Sequence, residues 1–190
     1  MNKELSLVPQ YIIQRGSKIH DNVLSVLISV LGLSLLAQIT ISLPWTPVPI
    51  TGQTFGITLT ALICGRKRAM ASILSYLTLG AIGLPIFAMG RSGLSIGPTT
   101  GYLIGMAVAT YFVGSLSDMG WTQSWRKSYL ASALGSIIIF TFGVIGLSLF
   151  IPSNELLMAG VIPFLPGDFL KTWLASFTAF KIHKSLKNKL

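Results

Sequence analysis

The stretch P-W-T-P-V-P-I-T-G, residues 44–52, interrupts an uncharged and mostly apolar run that extends from residue 22 to residue 65. A membrane-spanning helix needs about 20 apolar residues, so a run of this length can hold two of them. Proline lacks a backbone N–H and clashes with the preceding helical turn, so three prolines in this stretch prevent a continuous helix. The stretch therefore predicts a break between a first span at about 23–43 and a second apolar piece at 53–64.

The second apolar piece is too short to cross a membrane alone. Part of the preceding loop is therefore expected to enter the membrane. Irregular backbone is tolerated at that depth only where protein covers it or where it lines a cavity. Besides the break, the proline-rich stretch consequently predicts a loop that either is covered by protein or lines a cavity.

The rest of the chain continues this pattern. Only 10% of the residues are charged, well below the roughly 25% that is usual in soluble domains. Further spans are predicted at about 69–84, 98–117, 128–150 and 166–182. The predicted fold class is an all-α membrane protein with six transmembrane helices and Pro/Gly-rich outer loops, organised as a single integral membrane domain over residues 1–190.

The charge distribution predicts the orientation of these spans. The net charge is +9, which in a soluble chain would suggest nucleic acid. Here, however, the basic residues cluster before the first span, between the second and third, between the fourth and fifth, and after the sixth: Lys3, Arg15, Lys18, Arg66, Lys67, Arg68, Arg126, Lys127, Lys181, Lys184, Lys187 and Lys189. The positive-inside rule then places both termini in the cytoplasm, in a multi-pass protein of the inner (plasma) membrane. Residues 1–22 become a cytoplasmic lead and residues 183–190 a basic cytoplasmic tail, with membrane lipid rather than nucleic acid as the partner.

One short stretch near the last span, V-I-P-F-L-P-G-D-F-L-K at residues 161–171, brings an acid and a base into an apolar region. If a helix begins at Pro166 or Gly167, Asp168 and Lys171 project from the same face. Ionisable residues at membrane depth usually indicate a functional site. The alternative is a self-neutralised ion pair at the start of a helix.

The outer loops carry nearly all the prolines and the remaining charged residues. Trp45, Arg91, Asp168 and Lys171 all belong to this proline-rich face, which is the arrangement expected of an outward-facing pocket for a small molecule. Arg91 offers a planar fork for a carboxylate, whereas Trp45 is either an interfacial anchor or a lid over a ligand. The only histidines, at positions 20 and 183, lie in predicted cytoplasmic parts, so the sequence predicts no enzyme.

The first predicted span has a stripe of small residues, Ser25, Ser29 and Gly32. Small residues permit close helix approach in lipid. The stripe therefore packs either against a partner subunit or inside the same bundle.

Four ordered motifs resemble the BioY family, the biotin-binding S components of energy-coupling-factor (ECF) transporters. The motifs are P-V-P-I-T with Q-T at 47–54, G-A-I-G-L-P-I-F-A at 80–88, G-P-T-T-G-Y-L-I-G at 97–105, and P-F-L-P-G-D with Lys171 at 163–171. The resemblance extends from about residue 37 to residue 171.

This resemblance implies a subunit that captures biotin from outside and works with an ECF T subunit and two ATPase subunits. The chain has no G-x-x-x-x-G-K-[ST] loop, so ATP hydrolysis by that route falls to other subunits. No cofactor is expected. An S component for another vitamin and a stand-alone or proton-coupled biotin carrier are the alternatives.

The implied site residues suit the chemistry of biotin. Asp168 is expected to accept from the ureido N–H groups, and Lys171 either to donate to the ureido carbonyl or to hold Asp168 ionised. Arg91 is expected to meet the carboxylate, although the reverse orientation would place Lys171 on the carboxylate. Trp45 and Tyr102 are expected to cover the apolar body. Gln53 and Tyr76 complete the predicted substrate contacts, and the resemblance assigns Ser25, Ser29 and Gly32 to the T subunit.

Overall fold

The computed structural model describes residues 19–93 and 96–187. This part of the chain is mostly helical, which confirms the predicted helical class. Its helices are α1 (Ile19–Gln38), α2 (Gln53–Ala81), α3 (Thr100–Asp118), α4 (Trp125–Leu147), α5 (Leu156–Gly160) and α6 (Leu165–Lys187). Most of the predicted lead, residues 1–18, and the last three residues of the predicted tail lie outside the described residues.

The first helix ends earlier than the sequence predicts. α1 stops at Gln38, and a short antiparallel hairpin follows, in which β1 (Thr40–Ile41) pairs with β2 (Ile50–Thr51). Threonine and isoleucine are β-branched residues that favour extended backbone, and the prolines between the two strands cannot form a helix. The hairpin corrects the prediction that the first span continues to residue 43.

The second and third predicted spans are joined at a break within α2. Gly65 has φ 71° and ψ 177°, a backbone conformation that glycine adopts readily and other residues rarely do. A short connection containing Arg66 and its neighbours was expected, whereas helix resumes directly after one residue. α3 packs tightly on this break, because a Cβ built on Gly114 would lie 2.7 Å from the Cα of Arg66.

Three of the described helices are long and apolar enough to cross a membrane, judged by length and composition: His20–Gln38 within α1, the whole of α3, and the whole of α4. α1 carries a broad apolar face with large side chains, including Leu27 and Leu31, that are mostly exposed. Exposed apolar faces of this kind suit a lipid environment. The count of six spans and the cytoplasmic position of both termini stay predictions.

Glycines allow α3 and α4 to come into close contact. A Cβ on Gly101 would lie 2.9 Å from the Cα of Gly146 and would collide with the carbonyl oxygen of Phe142. A Cβ on Gly105 would lie 3.0 Å from the Cα of Ile139. Because the two helices approach so closely, Tyr102 and Met106, which adjoin these glycines in α3, lie next to α4.

Candidate ligand-binding site

A cavity of about 140 Å³ lies between the hairpin, the loop after α2, helices α3 and α4, and the start of α6. Among the residues that the sequence predicted, the following line it: Gln53, Arg91, Tyr102, Asp168 and Lys171. Residues that are far apart in the sequence therefore meet at one cavity. This is the arrangement expected of a pocket formed by the predicted outer loops.

Part of the cavity lining is apolar. This part includes Met106 from α3, Ile139 and Phe140 from α4, and Phe164 from the turn before α6. Phe164 packs against Phe140, with ring centroids 6.4 Å apart. These side chains could not be recognised as cavity residues from the sequence, because the same residue types occur throughout the apolar helices.

Asp168 and Lys171 lie in the first two turns of α6, which begins at Leu165 after a 3-10 turn. Both side chains are partly buried. Their charged atoms are not within 4.0 Å of each other. Instead, the Lys171 ammonium donates to the backbone carbonyl of Thr51 at 3.0 Å, and the hydroxyls of Ser136 and Thr172 neighbour the Asp168 carboxyl. The acid and the base are therefore presented to the cavity separately, unlike a closed ion pair.

A chain of hydrogen bonds connects the hairpin to the loop after α2. The Thr51 hydroxyl donates to the Gln53 side-chain oxygen at 3.1 Å, and the Gln53 amide nitrogen donates to the Tyr76 hydroxyl at 2.7 Å. Tyr76 in turn donates to the Ile86 carbonyl at 2.9 Å. Tyr76 is fully buried and does not line the cavity, so the structure places it behind Gln53 rather than at the surface of the site.

Tyr102 lines the cavity and also secures the short helix α5. Its hydroxyl donates to the Gly160 carbonyl at 2.7 Å, next to the Ala159 carbonyl that accepts from the Thr46 hydroxyl at 2.6 Å. A Cβ on Gly143 would collide with the Tyr102 ring. The aromatic ring is thus fixed in position by a glycine on α4 and a carbonyl of α5.

Arg91 and Trp45 differ in their placement. Arg91 is an exposed residue of the cavity lining, and its guanidinium makes no hydrogen bond or ion pair with any residue in 19–93 or 96–187. Trp45 is 65% exposed and lies over a separate shallow groove with Glu155 and Met158. The structure does not bring Trp45 to the cavity lining, and its role as a cover for the ligand stays a prediction.

The small residues of α1 also separate into two environments. The Ser29 hydroxyl bonds to the Ser25 carbonyl at 2.8 Å and lies 3.8 Å from the Cys64 sulfur of α2. A Cβ on Gly32 would meet nothing within 4 Å. Ser29 therefore packs inside the bundle, whereas Gly32 faces open space.

The cavity lining carries charged side chains of both signs. No three His, Cys, Asp or Glu side chains within residues 19–93 and 96–187 lie close enough to hold a metal ion. The cavity lining combines a carboxylate, an ammonium and a guanidinium with apolar side chains. Such a set can orient a small molecule that has N–H donors, an apolar body and an anionic group.

Comparisons with known proteins agree on one family. The sequence model described as "BioY family" matches residues 7–188. The chain is 34% identical over 148 residues to the Biotin transporter BioY of Thermotoga maritima, covering 76% of this chain and 86% of that protein. It is 35% identical over 148 residues to the Probable biotin transporter BioY of Pyrococcus horikoshii, covering 77% and 86% of the two chains.

A solved structure shares the fold. It is the crystal structure of the S-component for biotin from an ECF-type ABC transporter, with a TM-score of 0.80 and 27% sequence identity. The similarity covers 89% of this chain and 95% of that chain. The likeness therefore extends over the helices that surround the cavity.

Proposed function

The chain belongs to the BioY family, and we propose that it is a membrane subunit that captures biotin from outside and mediates its uptake with a separate ATP-hydrolysing module. Members of this family are transporters rather than enzymes. The single observation that carries the proposal is that Asp168, Lys171 and Arg91 line one cavity together with apolar side chains. Biotin has groups complementary to these three side chains and to the apolar lining.

The ureido end of biotin fits the start of α6. Its ring offers two N–H donors and one carbonyl acceptor. Asp168 would accept from the N–H groups, and Lys171 would donate to the carbonyl. The hydrogen bond from Lys171 to the Thr51 carbonyl supports this assignment. It shows that the Lys171 ammonium can donate to a neutral carbonyl, and the ureido carbonyl of biotin is an acceptor of the same type.

The rest of biotin fits the other side of the cavity. Its thiolane ring and aliphatic tail would pack on Met106, Phe140 and Tyr102, and its carboxylate would meet Arg91. Gln53 would complete the polar contacts. The reversed pose, with the carboxylate on Lys171, is distinguished by the effect of Arg91 substitutions on uncharged biotin derivatives.

The proposal includes six membrane spans with both termini in the cytoplasm of the cell and the protein in the plasma membrane. The break at Gly65 supports it, because it divides α2 into two pieces at the cluster of Arg66, Lys67 and Arg68. A reversal beside basic residues is expected at the cytoplasmic boundary. Anionic lipid headgroups are then the natural neighbours of this cluster.

The proposed partners are an ECF T subunit and two ATPase subunits. The similarity of this fold to the S-component for biotin from an ECF-type ABC transporter supports this part of the proposal. On α1, Gly32 offers an open small-residue surface for a partner helix. The sequence-based prediction also assigned Ser25 and Ser29 to this interface, but Ser29 contacts Cys64 of α2 within the bundle, so the proposed contact is centred on Gly32.

The proposal is tested in two stages on the full-length protein. Isothermal titration calorimetry of the purified protein should show saturable binding of biotin and no comparable binding of thiamine, a cationic vitamin. Proteoliposomes should then accumulate biotin only when the T subunit, the ATPases and internal ATP are present. Preference for another vitamin would overturn the substrate assignment. Uptake without the module that stops on addition of a protonophore would indicate a proton-coupled carrier.

A further inference from the structure

The side-chain amide of Gln38, the last residue of α1, is bonded to the loop that carries Arg91. Its oxygen accepts from the Gly90 backbone N–H at 3.0 Å. Its nitrogen has three carbonyl oxygens within hydrogen-bond distance, those of Phe87 at 3.1 Å and Ile86 at 3.4 Å in the loop and that of Ser34 at 3.2 Å in α1. We propose that Gln38 is a positioning residue, which holds this loop so that Arg91 can receive the carboxylate of biotin.

Backbone hydrogen bonds within the loop close a turn between Phe87 and Arg91. The Phe87 N–H donates to the Arg91 carbonyl at 3.1 Å, and the Arg91 N–H donates to the Ala88 carbonyl at 3.3 Å. Between them, Met89 has φ 62° and Gly90 has φ 67°. A left-handed conformation is costly for a residue with a side chain such as methionine and persists only where the surroundings enforce it. The Gln38 oxygen bonds to the residue next to Met89 and supplies such a restraint.

Glutamine is suited to this task because one planar group must accept from one part of the loop and donate to another. The three loop groups that it contacts are the carbonyls of Ile86 and Phe87, at the start of this turn, and the N–H of Gly90 inside it. A glutamate would keep the acceptor but would bring carboxylate oxygens against two carbonyl oxygens. An alanine would remove all of these bonds.

Gln38 acts through the loop and not on the ligand directly. It is absent from the cavity lining, whereas Phe87, Ala88 and Arg91 are part of it. The Arg91 guanidinium has no hydrogen-bond or ion-pair partner within the described residues. Its orientation toward a carboxylate therefore depends on the backbone from which it projects. Loosening that backbone should weaken the carboxylate contact and spare the ureido contacts on α6.

This inference rests on the proposed function and is tested by a double-mutant cycle with two ligands. Gln38→Ala should weaken biotin by about tenfold and biotinamide, which lacks the carboxylate, by less than about twofold. In an Arg91→Ala background, Gln38→Ala should have no further effect on biotin. Gln123→Ala, which alters an exposed glutamine in the turn before α4, is the matched control and should change neither affinity.

The outcomes separate the two hypotheses. If the unmodified protein binds no biotin, the proposed function fails and the inference falls with it. If biotin binds but Gln38→Ala weakens biotin and biotinamide equally, or if the losses in Gln38→Ala and Arg91→Ala simply add, Gln38 is not a positioning residue for Arg91. Gln38→Glu provides a second variant, which keeps the acceptor for Gly90. It should show the same selective loss of biotin, and unchanged binding of biotin would also overturn the inference.

Discussion

Lys171 donates to the backbone carbonyl of Thr51 at 3.0 Å and not to Asp168, although Asp168 lies one helical turn before it on α6. The bond joins the last helix to the hairpin that follows the first, across nearly the whole sequence. It also leaves the Asp168 carboxyl to the hydroxyls of Ser136 and Thr172. An acid that is not neutralised by its neighbouring base retains its capacity to accept from a ligand.

We predict that Asp168→Asn weakens biotin by about 2–4 kcal/mol, because an ionic acceptor is replaced by an amide that presents its own donors to the ureido donors. Calorimetry on the purified variant measures the loss. Glu155→Gln is the control, since Glu155 lies on the separate groove beside Trp45. Unchanged biotin affinity in Asp168→Asn would remove Asp168 from the site.

Lys171→Met should destabilise the ligand-free protein. The variant keeps an unbranched side chain that is one atom shorter but leaves the Thr51 carbonyl without its charged donor, and hydrogen bonds to charged groups contribute about 1.5–3 kcal/mol. Thermal unfolding in detergent without biotin should show a lower midpoint. Lys184→Met, at an exposed position further along α6, should leave the midpoint nearly unchanged. Equal midpoints for the two variants would show that the bond between α6 and the hairpin adds no stability.

Much of the helical layout could be predicted from the sequence, because apolar runs and prolines decide it locally. α2 starts at Gln53 as predicted, and α6 starts at Leu165, one or two residues before the predicted start at Pro166 or Gly167. The one-residue break at Gly65 could not be predicted in the same way. Its tightness depends on α3, where Gly114 lets the helix approach Arg66, and that contact is set by tertiary packing.

The candidate site was predictable only where its residues are chemically unusual for a membrane segment. Asp168, Lys171 and Arg91 stand out by charge, whereas Ile139 and Phe140 look like any other residues of a spanning helix. Thr51 was missed because it contributes its backbone carbonyl, which every residue has. Trp45 was expected near the ligand, but the hairpin directs it to a different groove.

We expect Tyr76→Phe to destabilise the protein by about 1–3 kcal/mol, because it leaves the buried Gln53 amide nitrogen without its acceptor and removes the shorter of the two hydrogen bonds to the Ile86 carbonyl. Gln53 is only 3% exposed, so water cannot readily replace the lost bond. Thermal unfolding measures the effect. Tyr111→Phe, on the exposed side of α3, serves as the control and should stay within about 0.5 kcal/mol of the unmodified protein. A midpoint unchanged in Tyr76→Phe would show that Gln53 finds another partner.

The two small residues of α1 should respond differently to leucine. Ser29 lies 3.8 Å from the Cys64 sulfur, so Ser29→Leu has to displace α2 and should lower the unfolding temperature of the isolated subunit. Overpacking of this kind typically costs about 1–3 kcal/mol. If Ser29→Leu left the unfolding temperature unchanged, the α1–α2 contact at this position would be looser than the structure indicates.

Gly32→Leu should instead separate ligand binding from transport. A Cβ at this position meets nothing within 4 Å, and leucine favours a helix more than glycine does, so the isolated subunit should fold and bind biotin within about threefold of the unmodified affinity. If a helix of the T subunit packs on Gly32, the leucine keeps the two backbones apart, and ATP-dependent uptake should be abolished. Thr141→Leu adds similar bulk to an exposed face of α4 and should leave both binding and uptake intact. Uptake at the unmodified rate in Gly32→Leu, with the protein at normal levels in the membrane, would show that this face of α1 meets lipid rather than the partner.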